Sequence, residues 1–222
     1  AVPEKVGGGR SQWAVQSLLS NVNYSYDDRY LAQVSFRRDG ASNFGKNAQY
    51  GNFFSVSGGW NIHKESFFHA DFINNLKLKA SYGSVGNQSL DPYTTLGVVE
   101  NYPYVFGGQI TGGNLPGNLL PNPNLTWETS TTFNLGLDFG IIQNKLTGSI
   151  EYYNTETTDL LTDISLGGTS GFTTMITNGG RSKNNGVELF LTGHIINKRD
   201  FNWTMTAMAA RNRNQILSTG IF

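Results

Sequence analysis

The chain has no cysteine. Disulfide scaffolds, cysteine metal sites and thiol catalysis are therefore excluded. Charge is also scarce. Only 14% of residues are charged, against roughly 25% in a typical soluble domain. The 16 basic residues cancel the 16 acidic ones, so no basic surplus exists to attract nucleic acid. No run of 18 apolar residues occurs, which excludes a transmembrane helix but not barrel strands, which need only ~10 alternating residues. The three histidines, His63, His69 and His194, lack a usual metal spacing and read as solvated or hydrogen-bonded. No Ser/His/Asp order or nucleophile elbow is present. The carboxylate pair Asp27-Asp28 sits in a tight turn, where Asp serves the backbone. These residues point to no enzyme, no cofactor and no metal.

Other residue types are abundant. Aromatics make up 13% of the chain, with 14 Phe, 10 Tyr and 4 Trp, beside 27 Gly and 24 Asn. This composition suits many strands joined by turns. Residues 133–141 read apolar at every odd position and polar or glycine at every even one. After Gln143-Asn144 the pattern resumes as Leu146, Gly148, Ile150 and Tyr152. Folding about that turn sets Ile141 against Leu146, Phe139 against Gly148, Leu137 against Ile150 and Leu135 against Tyr152. The apolar sets then share one face, and a one-residue slip would destroy the match. The apolar face meets either a core or lipid.

Six further strands are expected, over 12–26, 30–38, 52–62, 76–83, 185–195 and 202–213. The polar faces are assigned Arg37, Lys77, Lys79, Asp138, Glu151, Glu188 and Arg211, lining either a wet lumen or the solvated face of a soluble sheet. The connections alternate between short (27–29, 143–144, 196–201) and long (39–51, 84–125, 154–184). The segment 63–75 is intermediate and suggests a short helix. Barrels of the outer membrane put their long loops at one end in this way. Aromatics near strand ends, namely Tyr24, Tyr26, Tyr30, Phe201, Trp203, Trp127, Tyr152 and Tyr153, fit an interfacial girdle or simply strand preference.

Residues 40–47 nearly match a phosphate-binding loop. Asn47 replaces the required hydroxyl and no helix follows, so the segment reads as a flexible surface loop. The Asn-x-Ser/Thr triplets at Asn23, Asn87, Asn124 and Asn202 read as chance. The loop 84–125 carries Tyr93, Tyr102, Tyr104 and Phe106. Such aromatics suit stacking on sugars or gripping peptides, or else packing against neighbouring loops.

Several runs carry a more specific resemblance. They are Tyr26-Asp-Asp-Arg-Tyr-Leu31, Ser35-Phe-Arg-Arg-Asp-Gly40-Ala-Ser-Asn-Phe-Gly45, Phe54-Ser-Val-Ser-Gly-Gly-Trp60 and Leu76-Lys-Leu-Lys-Ala-Ser-Tyr-Gly83 with Val85-Gly-Asn87. Further along come Asn122-Pro-Asn-Leu-Thr-Trp-Glu-Thr129, Asn134-Leu-Gly-Leu-Asp-Phe-Gly140, Leu146-Thr-Gly-Ser-Ile-Glu-Tyr-Tyr-Asn154 and Asn185-Gly-Val-Glu-Leu189. In this order, from about residue 11 onward, they resemble the barrel of SusC/RagA-type TonB-dependent outer-membrane transporters. The resemblance implies an all-β fold: a transmembrane antiparallel β-barrel, here eight strands of a larger plugged barrel of the 22-strand class. It also implies a Bacteroidetes-type nutrient importer in the outer membrane. Such an importer takes up oligosaccharides or peptides, is energised through TonB, and is covered by a SusD-like surface lipoprotein.

A complete member would also carry a signal peptide, a carboxypeptidase-like N-terminal domain, a TonB box and a plug. None is present, and the chain opens at Ala1, so residues 1–222 are expected to be part of a barrel with more strands after Phe222. Alone, such a segment would be an open sheet with two unpaired edges. Two other classes stay open on the residues alone. One is a self-contained small outer-membrane barrel or adhesin binding through its long loops. The other is a soluble β-sandwich carbohydrate-binding module.

Overall fold

The computed structural model describes residues 10–219. Its strands in chain order are β1 (Val15–Tyr26), β2 (Tyr30–Ala41), β3 (Tyr50–Asn61), β4 (Ile73–Asn87), β5 (Val99–Phe106), β6 (Gln109–Pro116), β7 (Leu119–Leu120), β8 (Glu128–Ile141), β9 (Leu146–Thr158), β10 (Leu161–Ser165), β11 (Thr174–Asn178), β12 (Arg181–Lys198) and β13 (Phe201–Ser218). One antiparallel sheet runs β1-β2-β3-β4-β8-β9-β12-β13. Each of its strands has at least 12 residues, more than the ~9–11 needed to cross a bilayer at a barrel tilt.

The hairpin register is the one the alternation predicts. Ile141 pairs with Leu146, Phe139 with Gly148, Leu137 with Ile150 and Leu135 with Tyr152. The turn is closed by Lys145 N–H donating to Ile142 O at 3.1 Å. Gln143 and Asn144 both have positive φ, as a type I′ turn requires. Asp27 and Asp28 do the same between β1 and β2, and Arg29 N–H donates to Tyr26 O at 3.0 Å. These turns suit the right-handed twist of the strands they join.

The register carries the two faces through the whole sheet. One row runs Tyr26, Tyr30, Trp60, Leu78, Leu137, Ile150, Leu189, Ala209. The next on the same side runs Tyr24, Ala32, Gly58, Ala80, Leu135, Tyr152, Val187. The opposite side carries Gln33, Ser57, Lys79, Asn134 and Glu151, which line a concave hollow of about 620 Å³. The row that closes at the β1–β2 turn meets β13 at Ala209, about eight residues beyond the β12–β13 turn that follows Lys198. This stagger is the shear of tilted barrel strands.

The sheet stays open, because β1 pairs only with β2 and β13 only with β12 among the described residues. An eight-strand barrel closed on itself is therefore not formed. Among the described residues no second sheet covers the apolar side either. Leu18, Val22, Val34, Leu135 and Met205 stand exposed there, which is not how a soluble sandwich treats its inner face.

All eight expected strands are present, several running three to five residues beyond the expected ends, and five readings change. The 154–184 connection holds the end of β9, the strands β10 and β11 and the start of β12. The 84–125 loop contains strand: β4 continues to Asn87, and β5 and β6 form a separate hairpin. The 40–47 segment is not a flexible surface loop, because Ala41, Asn43 and Phe44 are buried. Tyr153 and Trp127 leave the expected girdle. Tyr153 shares the concave side with Asn134 and Glu151, and Trp127 is buried among the loops. Arg211 is not on the polar face. It pairs with Val187, two residues from Ala209, and strand alternation places it on the outer side.

Candidate functional site

The concave wall is built from cross-strand polar pairs. Ser35 and Ser55 hydroxyls lie 2.5 Å apart, Ser130 and Thr157 2.8 Å, and Thr132 and Thr155 2.9 Å. Asn134 Nδ2 donates to Ser81 Oγ at 3.2 Å. At mid-height, Lys79 Nζ bridges Asp138 Oδ1 at 2.9 Å and Glu151 Oε1 at 2.5 Å. Lys79 reaches Glu151 by crossing β8 at Gly136, where an added Cβ would stand 2.5 Å from Lys79 Cε. A side chain there would push the ammonium off both carboxylates. The wall is thus wettable and nearly self-neutralised, as befits a surface meeting water or a second polar body.

One end of this wall is covered by the long connections, packed into a single unit. Its core is Ala41, Phe44, Phe53, Leu90, Leu125 and Trp127. The Phe44 and Trp127 rings sit 4.9 Å apart, and Phe53 meets Trp127 edge-on at 5.7 Å. Gly45 lets the 42–49 loop lie against 122–127, since a Cβ there would come within 2.2 Å of Pro123 O. Amide side chains then cross-link the loops. Asn43 Nδ2 donates to Leu90 O at 2.8 Å, and Thr95 Oγ1 donates to Asn43 O at 3.1 Å. Asn122 Nδ2 donates to Ile176 O at 3.0 Å, and Asn178 Nδ2 donates to Thr126 O at 2.9 Å. The three-stranded sheet β10-β11-β7 joins the same two loops.

The other end carries the short turns and an aromatic belt. Tyr26, Tyr30, Phe67, Phe72, Phe201 and Trp203 are exposed there. Glu65, itself buried, is the polar hub. Tyr30 OH donates to its Oε1 at 2.6 Å, and Trp60 Nε1 donates to the same atom at 2.8 Å. Arg29 stands 3.5 Å from Oε2. The phenol, the indole and the guanidinium together hold the Glu65 carboxyl below the ordinary carboxylate range. Pairing with Asp27, and more weakly with Glu65, raises Arg29. An apolar ring body with a satisfied polar tip is the side-chain form favoured at a membrane–water boundary.

The sequence singled out four aromatics as ligand contacts. Tyr93 is exposed at positive φ, and its hydroxyl accepts from Gln12 N–H at 3.2 Å. The backbones of Tyr102, Tyr104 and Phe106 lie on β5, opposite Gly113, Thr111 and Gln109. Their side chains lie outside the described part of the structure. The loop core and the Glu65 hub were not singled out, although Phe44, Leu125 and Trp127, bulky apolar residues in Asn/Gly-rich loops, were a signal. Each histidine has a hydrogen-bonding neighbour: His63 accepts from Leu76 N–H at 3.2 Å, His69 Nδ1 lies 3.1 Å from Phe67 O, and His194 Nδ1 lies 3.0 Å from Thr204 Oγ1.

An open, staggered meander with an apolar outer side, a polar concave side and packed loops at one end defines a wall of a large outer-membrane β-barrel. The comparisons agree. Residues 6–218 match the family model "TonB dependent receptor-like, beta-barrel". The chain belongs to the TonB-dependent receptor β-barrel family, and its place is the outer membrane. It is 35% identical over 212 residues to TonB-dependent receptor P26 of Formosa agariphila, covering 95% of this chain and 21% of that protein. It is 34% identical to TonB-dependent receptor SusC of Bacteroides thetaiotaomicron over 90% of this chain and 20% of that one. The RagAB peptide transporter superposes with a TM-score of 0.86 at 32% identity, over 94% of this chain and 23% of that chain. The siderophore receptor PirA of Pseudomonas aeruginosa, at 15% identity and a TM-score of 0.57, shares the fold. The chain spans about a fifth of the length of the curated relatives it matches.

Proposed function

We propose that residues 1–222 are one wall of a larger plugged barrel that imports oligosaccharides or peptides, energised through TonB and covered by a SusD-like lipoprotein. In this reading the protein is a transporter and not an enzyme. The observation that carries it is the division of faces. Unpartnered apolar rows lie outside, and a hydroxyl- and ion-pair-lined wall lies inside, under a packed loop unit. The loop unit would give a lid a firm platform and keep ligand-contacting aromatics in place. Tyr93, Tyr102, Tyr104 and Phe106 are the proposed substrate contacts. The likeness to the RagAB peptide transporter supports the peptide class.

The test is uptake by cells carrying the full-length protein, offered labelled oligosaccharides and labelled peptides, with and without TonB. One class should accumulate in a TonB-dependent way. Replacing the four aromatics by Ala should weaken binding about tenfold or more while the barrel still inserts, given ~0.5–1.5 kcal/mol per aromatic contact. TonB-independent uptake of both classes would refute the transport reading. Unchanged binding by the quadruple variant would refute the site.

A further inference from the structure

The outer side of β12–β13 carries cations where a lipid-facing wall should be neutral. Alternation places Arg211 and Arg213 on that side, beside Val187 and Asn185. Both are exposed, and no ion pair or hydrogen bond engages their side chains among the described residues. Lys183 lies on the same side of β12, opposite Gln215. Arg181 follows it and is paired with Glu156. Glu156 is opposite Lys183, so this carboxylate meets Arg181 and Lys183 and leaves Arg211 and Arg213 without a counter-charge among the described residues.

The height of this patch is set by β13 itself. Trp203 marks the belt at the short-turn end. Arg213 lies about ten residues further along, roughly 25 Å up at ~3.3 Å per residue and a ~40° tilt, which is the height of a barrel's apolar band. The outward residues between Trp203 and Arg211 are Met205, Ala207 and Ala209, all apolar, so the cations start at Arg211, about eight residues and roughly 20 Å up. Arg211 and Arg213 therefore span the upper edge of the apolar band, where acyl chains give way to headgroups, on the long-loop side. Along a strand, Arg211 and Arg213 are about 7 Å apart, and Lys183 is a diagonal neighbour across the ladder. That spacing lets two guanidiniums grip one phosphate group, and guanidinium matches phosphate geometry well.

We propose that this patch binds the phosphorylated headgroup of an outer-leaflet lipid, with Arg211 and Arg213 as its ligands and Lys183 beside them. The acyl chains of that lipid lie over Ala209, Ala207, Leu189 and Leu191. The inference rests on the outer-membrane placement of the chain and is independent of what is transported.

The experiment uses the full-length protein in detergent and reads co-purified or added lipid by native mass spectrometry. The probes are bis-phosphorylated lipid A, its dephosphorylated form and inorganic phosphate. The phosphorylated lipid should be retained over the dephosphorylated one. Replacing Arg211 and Arg213 by Gln should cut retention by roughly five-fold per arginine, while Lys77→Gln on the concave side leaves it unchanged. Equal retention of both lipids by the unaltered protein would overturn the proposal without relying on any variant. So would full competition by millimolar inorganic phosphate, which would mark a plain anion site. A double variant that loses thermal stability yet keeps its lipid preference would also overturn it, by showing that the arginines pair within the protein instead.

Discussion

At the scale of single residues, the molecule's most consequential polar contacts are those that let a wet group sit at an apolar boundary. Glu65 is the clearest case, because it accepts from Tyr30 and Trp60 and faces Arg29. Its carboxyl is held below the ordinary range, which ties stability to pH in a definite direction. The contribution is complete above the ordinary carboxylate value of about 4.3 and is lost as pH falls through the lowered folded-state value. Glu65→Gln should therefore lower the unfolding temperature at pH 7 and remove part of the acid dependence below about pH 4. Thermal unfolding of the full-length protein from pH 7 to pH 3, followed by tryptophan fluorescence, checks this, and parallel profiles for the two proteins would contradict it. None of this was legible in the sequence. Glu65 lies in a connection, and only the fold brings Tyr30, some 35 positions away, to its oxygen.

At the scale of elements, the alternation carried nearly everything. The β8–β9 register was readable to the residue because a period of two, an apolar face and a tight turn over-determine it. The same logic explains the error at Arg211. A cation was assigned to the polar face by its chemistry, whereas counting from Ala209 puts it on the outer side. The loops were illegible for a different reason. Phe44 lies in one loop, Leu125 and Trp127 in another, and Phe53 on β3, and no periodicity announces a core assembled from such scattered pieces. The face assignment makes a sharp prediction for β8. Leu137→Arg puts a charge on the lipid side and should cost ~2–4 kcal/mol or block assembly, whereas Asn134→Arg on the lumen side should be tolerated. Heat-modifiable migration of the two variants in outer-membrane fractions distinguishes them, and equal tolerance would contradict the assignment.

At the scale of the whole molecule, the eight strands form a staggered, open wall in place of a closed unit. Its apolar residues are distributed backwards for a soluble protein: the buried ones lie in the loop unit, and the long rows on the sheet are exposed. Lipid is the partner that resolves this, and family membership agrees. The most direct measurement uses the absence of cysteine in this stretch. Single cysteines placed from Thr132 to Ile141 in a cysteine-free full-length protein can carry a nitroxide label, and its exposure to oxygen and to a water-soluble nickel complex can be read in bilayers. The account predicts a period of two, with labels at Phe133, Leu135, Leu137 and Phe139 relaxed by oxygen and those at Asn134, Gly136 and Asp138 by nickel. A flat profile, or oxygen exposure on the even positions, would contradict it.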